Sequence, residues 1–145
     1  MSGTQNPDTQ KITVTSKSLG SVLISNKPKN SGEVAGLSDV GMVRELNEDN
    51  WYWGSLNESL TLYAVADGMG GHDSGEVASE LAVETLFRSS RDRLSQMDSD
   101  NEVALRDLLR GSFEEANRTV VTTGMDQESN MGTTLCAILV NENND

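Results

Sequence analysis

Apolar residues are sparse over residues 1–33 and recur in regular patterns from Val34 onward. The early segment is rich in Ser, Thr, Asn, Lys and Gly, with Ser21-Val22-Leu23-Ile24 its one apolar patch. It reads as a flexible polar leader. Val34 to Val43 is β-compatible, although Gly36 and Gly41 interrupt it. Trp51-Tyr52-Trp53 favours a strand. Leu60 to Ala66 is nearly all apolar, the signature of a central strand covered on both faces. The short polar link from Gly54 to Ser59 suits a hairpin between the two.

Helical spacing begins after the glycines. Ser74 suits an N-cap, and Val77, Ala78, Leu81, Ala82, Thr85 and Leu86 form one stripe. That helix should fade between Arg91 and Met97, with a break at residues 98–101. Leu105, Leu108, Leu109, Phe113, Ala116 and Val120 define a second amphipathic helix starting near Asn101 or Glu102. Gly124 to Asn130 reads as a loop, and Thr133 to Val140 as a further apolar strand. The order strand, strand, strand, helix, helix, strand predicts an α/β layered domain over residues 34–145, with paired helices covering a sheet. The last strand lacks a following partner within the chain, and an apolar edge is an aggregation hazard. The reading therefore expects an incomplete domain.

Composition narrows the function. The formal charge is −12 over 145 residues. Nucleic acid and anionic membranes reward Lys and Arg, so neither is an expected partner. Most of the acid belongs to solvated helix faces and loops. The single cysteine, Cys136, lies in an apolar run and is expected to be buried and inert. One cysteine, no transmembrane-length stretch and no signal-peptide pattern together predict a cytoplasmic protein.

The candidate chemistry sits where the Leu62–Ala66 run ends at Asp67-Gly68-Met69-Gly70-Gly71-His72. Two readings fit Asp67: a cap for the turn or the next helix, or a ligand for a hard cation such as Mg²⁺ or Mn²⁺. The acidic pair Glu48-Asp49 upstream favours the metal. Gly68, Gly70 and Gly71 permit close backbone approach, but their spacing fails the dinucleotide fingerprint. Arg44 is the one Lys or Arg between Ser31 and Glu80. A guanidinium suits bidentate binding of phosphate, and equally an ordinary surface position. His72, the only histidine, is either an acid–base or metal group or an exposed loop residue.

Four segments then carry a resemblance. Ser38-Asp39-Val40-Gly41-Met42-Val43-Arg44-Glu45-Leu46-Asn47-Glu48-Asp49-Asn50 resembles the opening motif of bacterial metal-dependent protein phosphatases of type 2C. Ala64 to His72 is similar to their second motif, Ser74 to Ser79 to the following helix start, and Met131 to Leu135 to the next strand motif. The resemblance implies an α-β-β-α sandwich, present here as its N-terminal portion, with a two-metal Mn²⁺ or Mg²⁺ centre. Asp67 would bridge the metals, Gly68 would offer its carbonyl, and Glu48 and Asp49 would act directly or through water. Arg44 would bind the substrate phosphate. The implied reaction is hydrolysis of phosphoserine or phosphothreonine in phosphoproteins, the products of Ser/Thr kinases, by metal-activated water. The family's later Asp-bearing motifs are not found in the chain. Two other classes remain: a non-catalytic phosphatase-like binding module and a small acidic cation-binding protein.

Overall fold

The computed structural model describes residues 38–40, 42–43, 46–71, 74–97 and 101–141. The expected leader, and most of the strand expected from Val34 to Val43, lie outside them. Within that strand's span, residues 38–40 have no regular structure and residues 42–43 form a turn. Ser38 explains part of the difference. Its hydroxyl is engaged by side chains rather than by a ladder, donating to Asp49 Oδ2 at 3.1 Å and accepting from Asn47 Nδ2 at 2.8 Å.

Two strands, β1 (Asp49–Ser55) and β2 (Leu60–Met69), form an antiparallel hairpin. The turn is built on Asn57. Its side-chain oxygen accepts from the backbone amides of Ser59 and Leu60 at 2.9 and 2.8 Å, a local bond pattern that asparagine is suited to make. Leu56 N donates to Leu60 O at 2.8 Å and closes the turn. Two helices follow, α1 (Ser74–Leu94) and α2 (Glu102–Asp126). Asn101 caps α2, accepting from Ala104 N at 3.0 Å. The chain returns through β3 (Gly132–Thr133) and β4 (Cys136–Asn141), which pair along the other edge of β2.

The helices run antiparallel on one face of the sheet. Ser74 at the start of α1 is bonded by Ser129 beyond the end of α2, and Arg93 near the end of α1 donates to Gly111 O. Helix α1 lies across β1 and β2, and α2 packs against α1. The core forms between them from Leu60, Leu62, Ala64 and Ala66 of β2, Val83, Leu86 and Phe87 of α1, and Ala116 of α2. Tyr52 meets Phe87 edge-on with ring centroids 4.7 Å apart, a favoured aromatic geometry.

Four expectations are corrected by this packing. Strand β2 is covered along the whole of one face but not of the other: its even positions from Leu60 to Gly68 are buried, whereas on the opposite face burial gives way from Thr61 to Val65, which is 57% exposed. Both helices occupy the same side, so a nearly continuous apolar run still has an open face. Cys136 is exposed rather than buried, because it pairs with Val65 on that open face. Helix α2 continues through Gly124 to Asp126. Gly124 is buried in the last turn, and a Cβ there would come within 3.1 Å of Ser129 O and 3.2 Å of Met131 Cγ. Finally, the expected strand from Thr133 to Val140 is split. Thr134 Oγ1 accepts from the amide of Asp67 at 3.0 Å, and the Thr133 hydroxyl lies 3.0 Å from Asp67 O and 2.8 Å from Thr134 O, with one proton to share between them. These side-chain bonds replace part of the ladder between β3 and β4.

Candidate active site

The hairpin register brings the two acidic clusters together. Asp49 opens β1 and Asp67 lies near the end of β2, and the two are direct cross-strand partners. Directly opposed residues of an antiparallel pair share a face, with Cβ atoms about 5 Å apart. That face is the open one, away from the helices, and both aspartates are exposed. Like charges so opposed are destabilising on their own. A cation held between them removes the repulsion.

The surrounding bonds fix the backbone at this end of the sheet. Asp67 N donates to Thr134 Oγ1 at 3.0 Å, and Thr134 N donates to Asp67 O at 2.9 Å. Asp49 N donates to Asn47 Oδ1 at 3.0 Å, while Ser38 holds the Asp49 carboxylate. Gly68 N donates to Glu48 O at 3.1 Å. A Cβ on Gly68 would lie 2.0 Å from Gly75 O and 2.8 Å from Glu48 O. Three backbone segments therefore meet at Gly68: the entry to β1, the end of β2 and the first turn of α1. Only a glycine fits that junction.

Glu48 is placed differently from its neighbour. Its side chain lies against the first turn of α1, where a Cβ on Gly75 would come 2.3 Å from Glu48 Oε1. A helix N-terminus favours a carboxylate there. The structure thus brings Asp49, Asp67 and the Gly68 backbone to one strand end, with Glu48 beside them on the helix side. Arg44 and His72 lie outside the described residues. Among those residues, no group of three or more His, Cys, Asp or Glu side chains converges to hold a metal ion by itself. The donors present are all oxygens, the chemistry that hard divalent ions select. The two facing carboxylates fit such an ion as part of its shell. Ser38, Asn47, Ser79, Thr133 and Thr134 were not among the predicted site residues. For Ser38 and Asn47 the available signal is nearness in sequence to Glu48-Asp49; Ser79, Thr133 and Thr134 reach the site only through the fold.

Residues 43–144 match the family described as Protein phosphatase 2C. The chain belongs to that family. It is 32% identical over 105 residues to the serine/threonine phosphatase stp of Listeria monocytogenes, covering 71% of this chain and 40% of that protein. It is 37% identical over 112 residues to protein phosphatase PhpP of Streptococcus pneumoniae, covering 77% of this chain and 44% of that protein. Among solved structures, the Mycobacterium tuberculosis serine/threonine phosphatase PstP/Ppp superposes with a TM-score of 0.56 at 35% identity, covering 74% of this chain and 41% of that one. The S. agalactiae serine/threonine phosphatase gives a TM-score of 0.61 at 32% identity, covering 72% and 42%. The α/β fold with two helices on one sheet face is that of part of a type 2C domain. The chain spans about two-fifths of the length of the relatives it matches. Among the described residues, no helix is long and apolar enough to cross a membrane.

Proposed function

We propose that this chain carries the strand-end half of a metal-dependent serine/threonine phosphoprotein phosphatase centre. The observation behind this reading is the direct pairing of Asp49 with Asp67 at an open sheet face. Asp49 and Asp67 would hold Mn²⁺ or Mg²⁺, with Glu48 and the Gly68 carbonyl as further oxygen donors. Such an ion, when bound, lowers the pKa of coordinated water and offsets charge on a phosphoryl group. Arg44 supplies the cation for the substrate phosphate, which its forked guanidinium can grip at two oxygens. Thr133 and Thr134 hold the Asp67 backbone in place while the exposed carboxylate faces the substrate side. The substrates are phosphoproteins made by a Ser/Thr kinase, and the single cysteine suits a reducing cytoplasm.

The direct test is Mn²⁺-dependent release of phosphate from a phosphothreonine peptide, comparing the chain with Asp67→Asn. Any activity of the unmodified chain should be lost in the variant, and no activity in either fits a chain that carries only part of the centre. Equal activity in both would remove Asp67 from the centre. That no group of three or more His, Cys, Asp or Glu side chains converges among the described residues favours one alternative, a binding module without turnover. Mn²⁺ binding without phosphate release would identify it.

A further inference from the structure

We infer that Ser79, a buried residue of α1, is a positioning residue that fixes the peptide joining Glu48 to Asp49 and thereby the spacing of the Asp49–Asp67 pair. This rests on the metal-dependent reading proposed above. Ser79 is 0% exposed. Its hydroxyl lies 2.6 Å from Glu48 O and 3.1 Å from Glu76 O, and it accepts from Asn50 Nδ2 at 2.8 Å. A serine has one O–H to give. Asn50 Nδ2 also reaches Glu76 O, at 3.4 Å. With the amide of Asn50 covering both the Ser79 lone pair and the helix carbonyl, the hydroxyl proton is directed to Glu48 O.

The Glu48–Asp49 peptide is then held at both ends. Its carbonyl accepts from Ser79 Oγ and from Gly68 N at 3.1 Å, and its N–H donates to Asn47 Oδ1 at 3.0 Å. The Gly68 bond alone is a link along the sheet. The Ser79 bond is the one that ties this peptide to the helix layer. Asp49 leaves the peptide on the open face, so its Cα is set by these three contacts. Outer partners of this kind matter because a ligand displaced slightly binds its ion less well, typically by a factor of about 10 or more.

The experiment measures Mn²⁺ affinity from the electron paramagnetic resonance signal of free Mn²⁺, with circular dichroism to follow folding. The full chain is compared with Ser79→Ala, Asn50→Ala, Asp67→Asn and Ser112→Ala. Ser112 is an equally buried serine, 0% exposed, that bonds Leu108 O within α2, far along the helix layer from the aspartates. The expected result is binding by the unmodified chain, its loss in Asp67→Asn, a roughly tenfold weakening in Ser79→Ala and no change in Ser112→Ala. Asn50→Ala, which frees the hydroxyl to turn to Glu76 O, should weaken binding less and in the same direction. Unchanged affinity in Ser79→Ala, with loss in Asp67→Asn, overturns the positioning role and leaves the metal reading standing. Equal weakening in the two serine variants also overturns it, because the effect is then one of general stability. No binding by the unmodified chain overturns both.

Discussion

Replacing Gly68 by alanine tests the three-way junction most sharply. The added Cβ would sit 2.0 Å from Gly75 O, whereas Cβ atoms stay beyond about 3.0 Å from such neighbours. Both opposing atoms are backbone, so no side chain can swing away. The first turn of α1 must retreat from β2 by an ångström or more. That movement strains the Gly68 N to Glu48 O bond and the Ser79 to Glu48 O bond. Each is worth about 1 kcal/mol, and overpacking of this kind costs about 1–3 kcal/mol. The expected loss is therefore about 3–5 kcal/mol. Gly71 supplies an internal control in the same glycine-rich turn. A Cβ there meets nothing within 4 Å, so Gly71→Ala should stay within about 0.5 kcal/mol of the parent. Urea unfolding followed by far-ultraviolet circular dichroism separates them. With a slope of about 1–3 kcal/mol per molar, Gly68→Ala should lower the midpoint by roughly 1–5 M. Coincident midpoints for the two variants would refute the junction.

Two further outcomes are expected. Leu86 is fully buried between α1 and the sheet, so Leu86→Ala should cost about 2–5 kcal/mol in the same unfolding assay. Burial pushes the Tyr52 hydroxyl's pKa above its ordinary 10.0, with the Arg91 charge acting against the shift. The folded state then holds the phenol proton more tightly than the unfolded state. The associated stability is complete below pH 10 or so and is lost as pH rises through the folded pKa. Unfolding curves between pH 9 and 11 should show this fall in the parent and a shallower one in Tyr52→Phe.

Local pattern made much of the molecule readable. The period of Leu105, Leu108, Leu109, Phe113, Ala116 and Val120 predicts α2, and Leu60 to Ala66 predicts the body of β2. The first helix is broader in its burial than its stripe suggests. Ser79, Val83, Phe87 and Ser90 are also buried, because α1 is covered by the sheet and by α2 together. Burial of a given face depends on what lies over it, and that is not a local property. The same limit accounts for Cys136 and Val65, which are apolar in pattern yet open in the structure. At the site, Asp67 was legible as a carboxylate ending an apolar run. Its partner was not singled out between Glu48 and Asp49. Adjacent residues of a strand point to opposite faces, and the register alone decides which one meets Asp67. Thr133 and Thr134 were hidden for a similar reason, since their contacts join segments more than sixty residues apart.

The asparagine turn acquires a different meaning from that register. Asn57 lies at the end of the hairpin remote from the acids, which are about 20 Å farther along the seven residue pairs from Ser55↔Thr61 to Asp49↔Asp67. Yet the turn sets the count. A frame shift of one position between the strands would bring Glu48 or Asn50 opposite Asp67 and send Asp49 to the helix side. The geometry of the acidic pair is thus written at a distance, by a loop that never touches it, and changes of loop length there act as changes to the chemistry.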